Sequence, residues 1–135
     1  MSKNIIVIVV YNRPQNIRHW LHCWEQCNKT ATLVVIHNDN GDVYDFPDDI
    51  IYIKRQNIGF DIGAFQDVCL NRLHGFPEWD NLLWVTDDTF PMSKDFPTPF
   101  WDALKVTDVA CMSVSHYVRR HIRTTGFAIT INPNH

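Results

Sequence analysis

Apolar residues in this chain come in short unbroken runs, separated by segments in which they recur every three or four positions. Ile5-Ile6-Val7-Ile8-Val9-Val10 is six consecutive aliphatic residues, mostly β-branched. Such a run suits a central strand covered on both faces, as in a parallel sheet. It stops at Tyr11-Asn12-Arg13-Pro14, a polar loop with Pro placed for the first turn of a helix. Ile17, Trp20, Leu21 and Trp24 follow at helical spacing, and the helix is expected to end near Asn28. Leu33 to Ile36 reads as a second strand, closing in the polar loop His37-Asn38-Asp39-Asn40-Gly41-Asp42. Ile50 to Ile53 is a third, running into Asn57-Ile58-Gly59-Phe60-Asp61-Ile62-Gly63-Ala64. Ile62, Phe65, Val68, Cys69 and Leu73 then mark a second helix. Leu82 to Val85 is a buried fourth strand, bounded by Asn81 and Pro91. Thr98-Pro99 is a helix start, Thr as N-cap and Pro at N1, for a short helix to about Lys105. Asp108 to Val114 and Phe127 to Ile131 close the chain as strands. Strands alternating with helices imply an α/β fold: three α/β/α layers around a mostly parallel, doubly wound sheet.

Length and composition narrow this further. At 135 residues one domain spanning 1–135 is expected, with a single core. A chain 45% hydrophobic and 13% aromatic argues against disorder, and a net charge of -3 gives a nucleic-acid partner no support. The run Ile5 to Val10 is too short for a signal core or a membrane span. A cytoplasmic setting is expected, with Cys23, Cys27, Cys69 and Cys111 as reduced, buried thiols.

Candidate chemistry lies in the loops. Polar clusters follow three strands, at Tyr11 to Arg13, Asn38 to Asp42 and Thr86 to Asp88, and the Asn57 to Gly63 loop follows another. In a parallel sheet all four emerge at one edge and can line one crevice. Asp87 and Asp88 stand at a strand's carboxyl end, where carboxylates are costly unless they meet a cation, a donor or water. Two readings are open: a divalent metal completed by phosphate oxygens and water, or a surface turn bonding local backbone N–H groups. The basic tail His116-Tyr117-Val118-Arg119-Arg120-His121-Ile122-Arg123 could meet a diphosphate or an acidic acceptor, with His116 or His121 as a metal ligand or proton acceptor, or be a solvated face. His19, Cys23 and Cys27 share a helical face, yet the spacing suits small packed hydrophobes better than a zinc site. Of Trp79, Trp84, Phe90, Phe96, Phe100 and Trp101, most are expected in the core, with one or two free to stack on a sugar ring.

The pieces Val10-Tyr11-Asn12-Arg13, His37-Asn38-Asp39-Asn40, Asn57-Ile58-Gly59-Phe60-Asp61-Ile62-Gly63-Ala64 and Thr86-Asp87-Asp88, in that order, carry a resemblance. The chain resembles the nucleotide-binding half of GT-A-fold glycosyltransferases, the family 2-like and rhamnan-synthesis types in particular. The resemblance implies a metal-dependent transferase that moves a sugar from a nucleoside-diphosphate sugar, UDP-sugar favoured, to a glycan or other acceptor. It implies that Asp39 accepts a hydrogen bond from the base, and that Val10, Tyr11 and Arg13 line the base and phosphate side. Asn57 and Asp61 would frame the ribose, Thr86 and Asp87 would line the donor, and Asp88 would hold Mn²⁺ or Mg²⁺. Asp87 and His116 are the candidates for catalytic groups.

Two departures qualify it. Positions 86 and 88 share a strand face, so the first carboxylate of the family's Asp-x-Asp motif is Thr86 here, and Asp87 would point the other way unless the strand has ended. The chain also stops at His135 with no Glu-Asp pair after the fifth strand. Either it is part of a longer glycosyltransferase, cut on the acceptor side, or that side is minimal. Rival readings are a nucleotide-sugar-binding module without transfer, a nucleotidyltransferase and a receiver-type domain. The nucleotidyltransferase would want a Gly-rich loop after the first strand, and the receiver an acidic pair there; neither is present.

Overall fold

The computed structural model describes residues 3–116 and 121–131. Its elements in chain order are β1 (Asn4–Val10), α1 (Pro14–Trp24), β2 (Thr32–Asn38), β3 (Ile51–Arg55), α2 (Phe60–Cys69), β4 (Asn81–Thr86), α3 (Thr98–Ala103), β5 (Val109–His116) and β6 (His121–Thr130). One six-stranded sheet runs in the order β3-β2-β1-β4-β6-β5. β1 pairs in parallel with both β2 and β4, and β2 with β3. β6 is antiparallel to its neighbours β4 and β5.

The sheet is sandwiched. α1 and α3 send Ile17, Trp20, Trp24, Trp101 and Leu104 onto one face, against Ile6, Ile8, Leu83 and Val85. α2 covers the other with Ala64 and Val68, against Ile5, Val7, Leu82 and Trp84. β1 is buried on both sides, as its uniform aliphatic run requires. The expected three-layer, mostly parallel, doubly wound architecture is the one formed.

Several local expectations are corrected. β2 extends through His37 and Asn38, both buried, so the polar loop starts only at Asp39. No helix joins the parallel strands β2 and β3; the loop 39–50 makes the crossover, seating Tyr44 and Phe46 against the α1 face. In α2 the inward stripe is Ala64, Phe65 and Val68, whereas Ile62 is exposed and Leu73 lies beyond the helix end. Thr98 does not cap α3: Pro97 holds the N-cap position, Thr98 is the first helical residue, and its N–H bonds the Asp95 carbonyl. α1 ends at Trp24, four positions before Asn28. Cys23, Cys27 and Cys69 are free thiols but not fully buried, and Cys69 is exposed. The Cys111 side chain lies outside the described residues. Among the described residues, no helix is long and apolar enough to cross a membrane.

Strand order places the site. From β1 the chain steps outward through β2 to β3, then returns across β1 to β4. The direction of winding therefore reverses between β1 and β4, and their carboxyl ends flank the crevice in which open α/β sheets take ligands. Register aligns Val9 with Thr86, so both strands finish level.

Candidate functional site

The loops after β1 and β4 meet at this switch point. Arg13 Nη1 stands 3.8 Å from Asp87 Oδ1 and 3.8 Å from Asp88 Oδ2. β4 ends at Thr86 and the pair sits in the following turn, so strict strand alternation no longer applies and one guanidinium reaches both carboxylates. The two differ in setting: the Asp87 side chain is 14% exposed, that of Asp88 51%. Burial pushes the Asp87 carboxyl above the usual range; Arg13 pulls it back, while Asp88 and Asp61 push it further. The turn is stapled from below. Thr86 and Thr89 hydroxyls bond at 2.9 Å, and the buried Trp20 of α1 donates its Nε1–H to the Thr89 carbonyl at 2.8 Å.

At the β2 edge, His37 is fully buried yet fully bonded. Its Nε2 meets Asn40 Oδ1 at 2.9 Å and its Nδ1 the Tyr52 hydroxyl at 2.6 Å. Asn40 Oδ1 also accepts the Asp42 N–H, and its amide donates to Asp42 Oδ2. The oxygen can only accept, so Nε2 carries a proton, and in the neutral ring Tyr52 then donates to Nδ1. This chain of bonds holds the loop bearing Asp39, whose Oδ1 accepts the Gly41 N–H and lies 4.0 Å from Lys54 Nζ.

Tyr44, from the same loop, packs edge-on to His37 and buries its hydroxyl without a hydrogen-bond partner among the described residues. Burial, and after it Asp42 and Asp87, push its phenol upward; Arg18 opposes them. Tyr44 thus packs on the α1 face, near enough for the Asp87 charge to act on it. Val43-Tyr44 carries no motif, so nothing in the sequence marked it.

The loop before α2 hangs on Arg55. Its guanidinium donates to Asp67 Oδ2 (2.9 Å), Asn38 Oδ1 (2.6 Å) and the Ile58 carbonyl (2.9 Å). A Cβ on Gly63 would lie 2.2 Å from that same carbonyl, so only glycine lets the loop close on the helix. Asn57 Oδ1 is buried here without a partner among the described residues. Asp61 and Thr86 both line a cavity on the α2 side of β4. The edge thus unites Tyr11, Arg13, Thr86, Asp87 and Asp88, with Asp61 on the α2 flank. Asp39 stands farther along, beyond β1. The Val10 side chain points into the core, leaving its backbone alone for any ligand. Residues 117–120 of the basic tail, and the side chains of His116 and of 121–123, lie outside what the structure describes.

As for a cation, Asp87 and Asp88 offer the hard oxygen donors that Mg²⁺ and Mn²⁺ take. Among the described residues no group of three or more His, Cys, Asp or Glu side chains is placed to hold a metal. The donor set fits an ion that gets its remaining oxygens from a bound phosphate and water. At the other end of α1, Cys27 donates to the Ser93 carbonyl, and Cys23 stands 3.7 Å from His19 Nε2.

No family model matches the chain, and no curated protein matches it in sequence. Among solved structures, it is similar to a 4-diphosphocytidyl-2C-methyl-D-erythritol synthase from Anaerococcus prevotii. The TM-score is 0.59 at 8% identity, over 96% of this chain and 70% of that one. At that identity the likeness is one of fold: a GT-A-like α/β/α sandwich.

Proposed function

We propose that this chain is a nucleotide-binding transferase domain that moves a sugar from a nucleoside-diphosphate sugar to an acceptor. The observation that carries the reading is the junction at the switch point, where Arg13 reaches both Asp87 and Asp88. A cation and an anion site side by side are what a diphosphate–metal pair needs. In this reading Tyr11, Arg13 and Asp39 meet base and phosphates, Tyr44 offers its orphaned hydroxyl, and Asn57, Asp61 and Thr86 contact the ligand from the α2 side. Asp88, with Asp87 beside it, would hold Mg²⁺ or Mn²⁺, which when bound neutralises charge on the diphosphate as the sugar leaves. Asp87, the buried member, is the candidate acid–base group.

A second reading, a nucleotidyltransferase, is favoured by one observation. The protein of similar fold is by name a synthase of a diphosphocytidyl compound, which adds cytidine nucleotides to the ligands worth testing. Against it stands the loop Tyr11-Asn12-Arg13-Pro14, which has no glycine to admit phosphates closely.

Calorimetric titration with UDP, CDP, GDP and dTDP, each with and without Mn²⁺, tests both. One nucleotide should bind, require metal, and lose at least about tenfold in affinity (about 1.4 kcal/mol) in Asp88→Ala. Donor-sugar hydrolysis then separates a transferase from a passive binder, and pyrophosphate release from CTP marks the second reading. Binding of no nucleotide under any condition would sink the proposal.

A further inference from the structure

On the α2 side of β4, immediately beside the carboxylate pair, lies a cavity of about 190 Å³. Its floor is aromatic: Phe65 stands edge-on to Trp84 and Phe127, at 5.0 Å and 4.9 Å between ring centres. Gly126 lines it through its backbone alone, since its pairing partner Val85 faces the other side of the sheet. At its rim are one carboxylate, Asp61, and one hydroxyl, Thr86; no cationic side chain is among the described lining residues. Sites that bury a drug-sized ligand run from about 300 Å³ upward. This one has room for a single ring rather than for a nucleotide.

The turn that brings Asp61 and Ile62 to the cavity is built at a conformational cost. Gly59 and then Phe60 both adopt left-handed backbone, at φ 74° and 56°. Glycine does so freely; a bulky aromatic residue rarely does. The conformation is imposed from below by Arg55, which holds the Ile58 and Phe60 carbonyls, and by the close approach of Gly63. Its result is that Phe60 and Ile62 stand 72% and 78% exposed beside Asp61. Strain of this kind, held in place beside a cavity, is a mark of a working site, and neither exposed apolar side chain contributes to the core.

We propose that this cavity is a subsite for a neutral or amino-bearing pyranose ring. The ring lays its C–H face on the aromatic floor and turns a hydroxyl or ammonium toward Asp61, with Ile62 at the rim and the strained Phe60 backbone setting both. A uronic acid is rejected, because its carboxylate would meet Asp61 with no cation among the described rim residues. Thr86 both lines the cavity and directly precedes Asp87, so a ring seated there adjoins the carboxylate junction. That the ring is the sugar of the transfer rests on the function proposed above; that the cavity binds a pyranose does not.

The test is an amide NMR titration of the full chain with methyl β-glucopyranoside, its 2-amino analogue and methyl glucuronide, each without nucleotide. The first two should shift residues 61–65, 84–86 and 126–127 at millimolar concentrations, and the glucuronide at least fivefold more weakly. Asp61→Asn should bring the glucuronide to within twofold of the glucoside. Phe60→Gly should raise Tm, because the strain is relieved, yet weaken glucoside binding at least fivefold, because the turn that sets Asp61 and Ile62 is loosened; a merely structural residue would not move the two in opposite directions. Ile62→Ser, at an exposed position, should weaken binding at unchanged Tm and serves if Phe60→Gly misfolds. Absent shifts, shifts elsewhere on the chain, or equal binding of the glucuronide to the wild type would overturn the proposal. Nucleotide binding without glucoside shifts defeats this inference and spares the function above; glucoside shifts without nucleotide binding do the reverse.

Discussion

Arg55 is 8% exposed and spends its guanidinium on four groups: Asp67, Asn38 and two carbonyls of the loop before α2. Removing it takes from the half-buried Asp67 its hydrogen-bonded partner, leaving the exposed Arg72 at 3.8 Å, and frees the loop. Arg55→Met should therefore cost about 3 kcal/mol, the scale of breaking a buried pair from one side, read by urea unfolding. It should also relax the Phe60 backbone, visible as changed amide shifts at 58–63. Tyr44 poses the opposite case. Its hydroxyl is buried without a hydrogen-bond partner among the described residues, and an unsatisfied buried group costs about 1–3 kcal/mol. Tyr44→Phe should leave thermal stability equal or higher while weakening nucleotide binding several-fold by calorimetry. A lost Tm would show that the hydroxyl serves the fold instead. Neither residue announces itself in the sequence. Arg55 reads as an ordinary charge ending a strand, and Tyr44 as an aromatic in a loop; their roles come from groups 12 and 43 positions away, Asp67 and Asp87.

α1 does more than cover the sheet. Ile17, Trp20 and Trp24 follow from its spacing, and each buried side chain is worth about 1.5–3 kcal/mol. The indole N–H of Trp20 also fastens the turn after β4, 69 residues on. Trp20→Phe would keep much of the apolar contact but strip the Thr89 carbonyl of its donor, so a loss of about 1–3 kcal/mol is expected by thermal melts. Nucleotide affinity should fall with it, because the Asp87–Asp88 turn is loosened. An aliphatic replacement would remove the ring contacts as well, whereas Phe keeps an aromatic ring and isolates the hydrogen bond better. α2 shows where periodicity misleads. Ile62 and Cys69 fit the apolar spacing, yet Gly59 and Phe60 start the helix at a phase that turns Ala64, Phe65 and Val68 inward. The crossover from β2 to β3 likewise needs no helix, because Tyr44 and Phe46 supply the apolar cover that a helix would have brought.

The six strands share one sheet, and two helices on one face and one on the other close it. A chain of 135 residues built this way should unfold in one cooperative step; coincident transitions by far-UV dichroism and tryptophan fluorescence would bear that out, and separated ones would mean independent units. At this scale the division between chain and fold is plain. Runs such as Ile5 to Val10 and Leu82 to Val85 determine strands buried on both faces, Pro14 and the spacing of Ile17, Trp20 and Trp24 determine a helix, and their alternation determines a layered α/β sheet. These are local properties, written in neighbouring residues. The convergence of the loops at one edge was legible too, since parallel strands all end on the same side. Tertiary structure alone decided the rest. The order β3-β2-β1-β4 put the switch point between Arg13 and Asp87, the end of β4 at Thr86 turned both carboxylates to one guanidinium, and the packing of Phe65, Trp84 and Phe127 left a cavity beside them. Each of these depends on contacts between residues far apart in the chain, and the periodicity of a single segment holds no record of them.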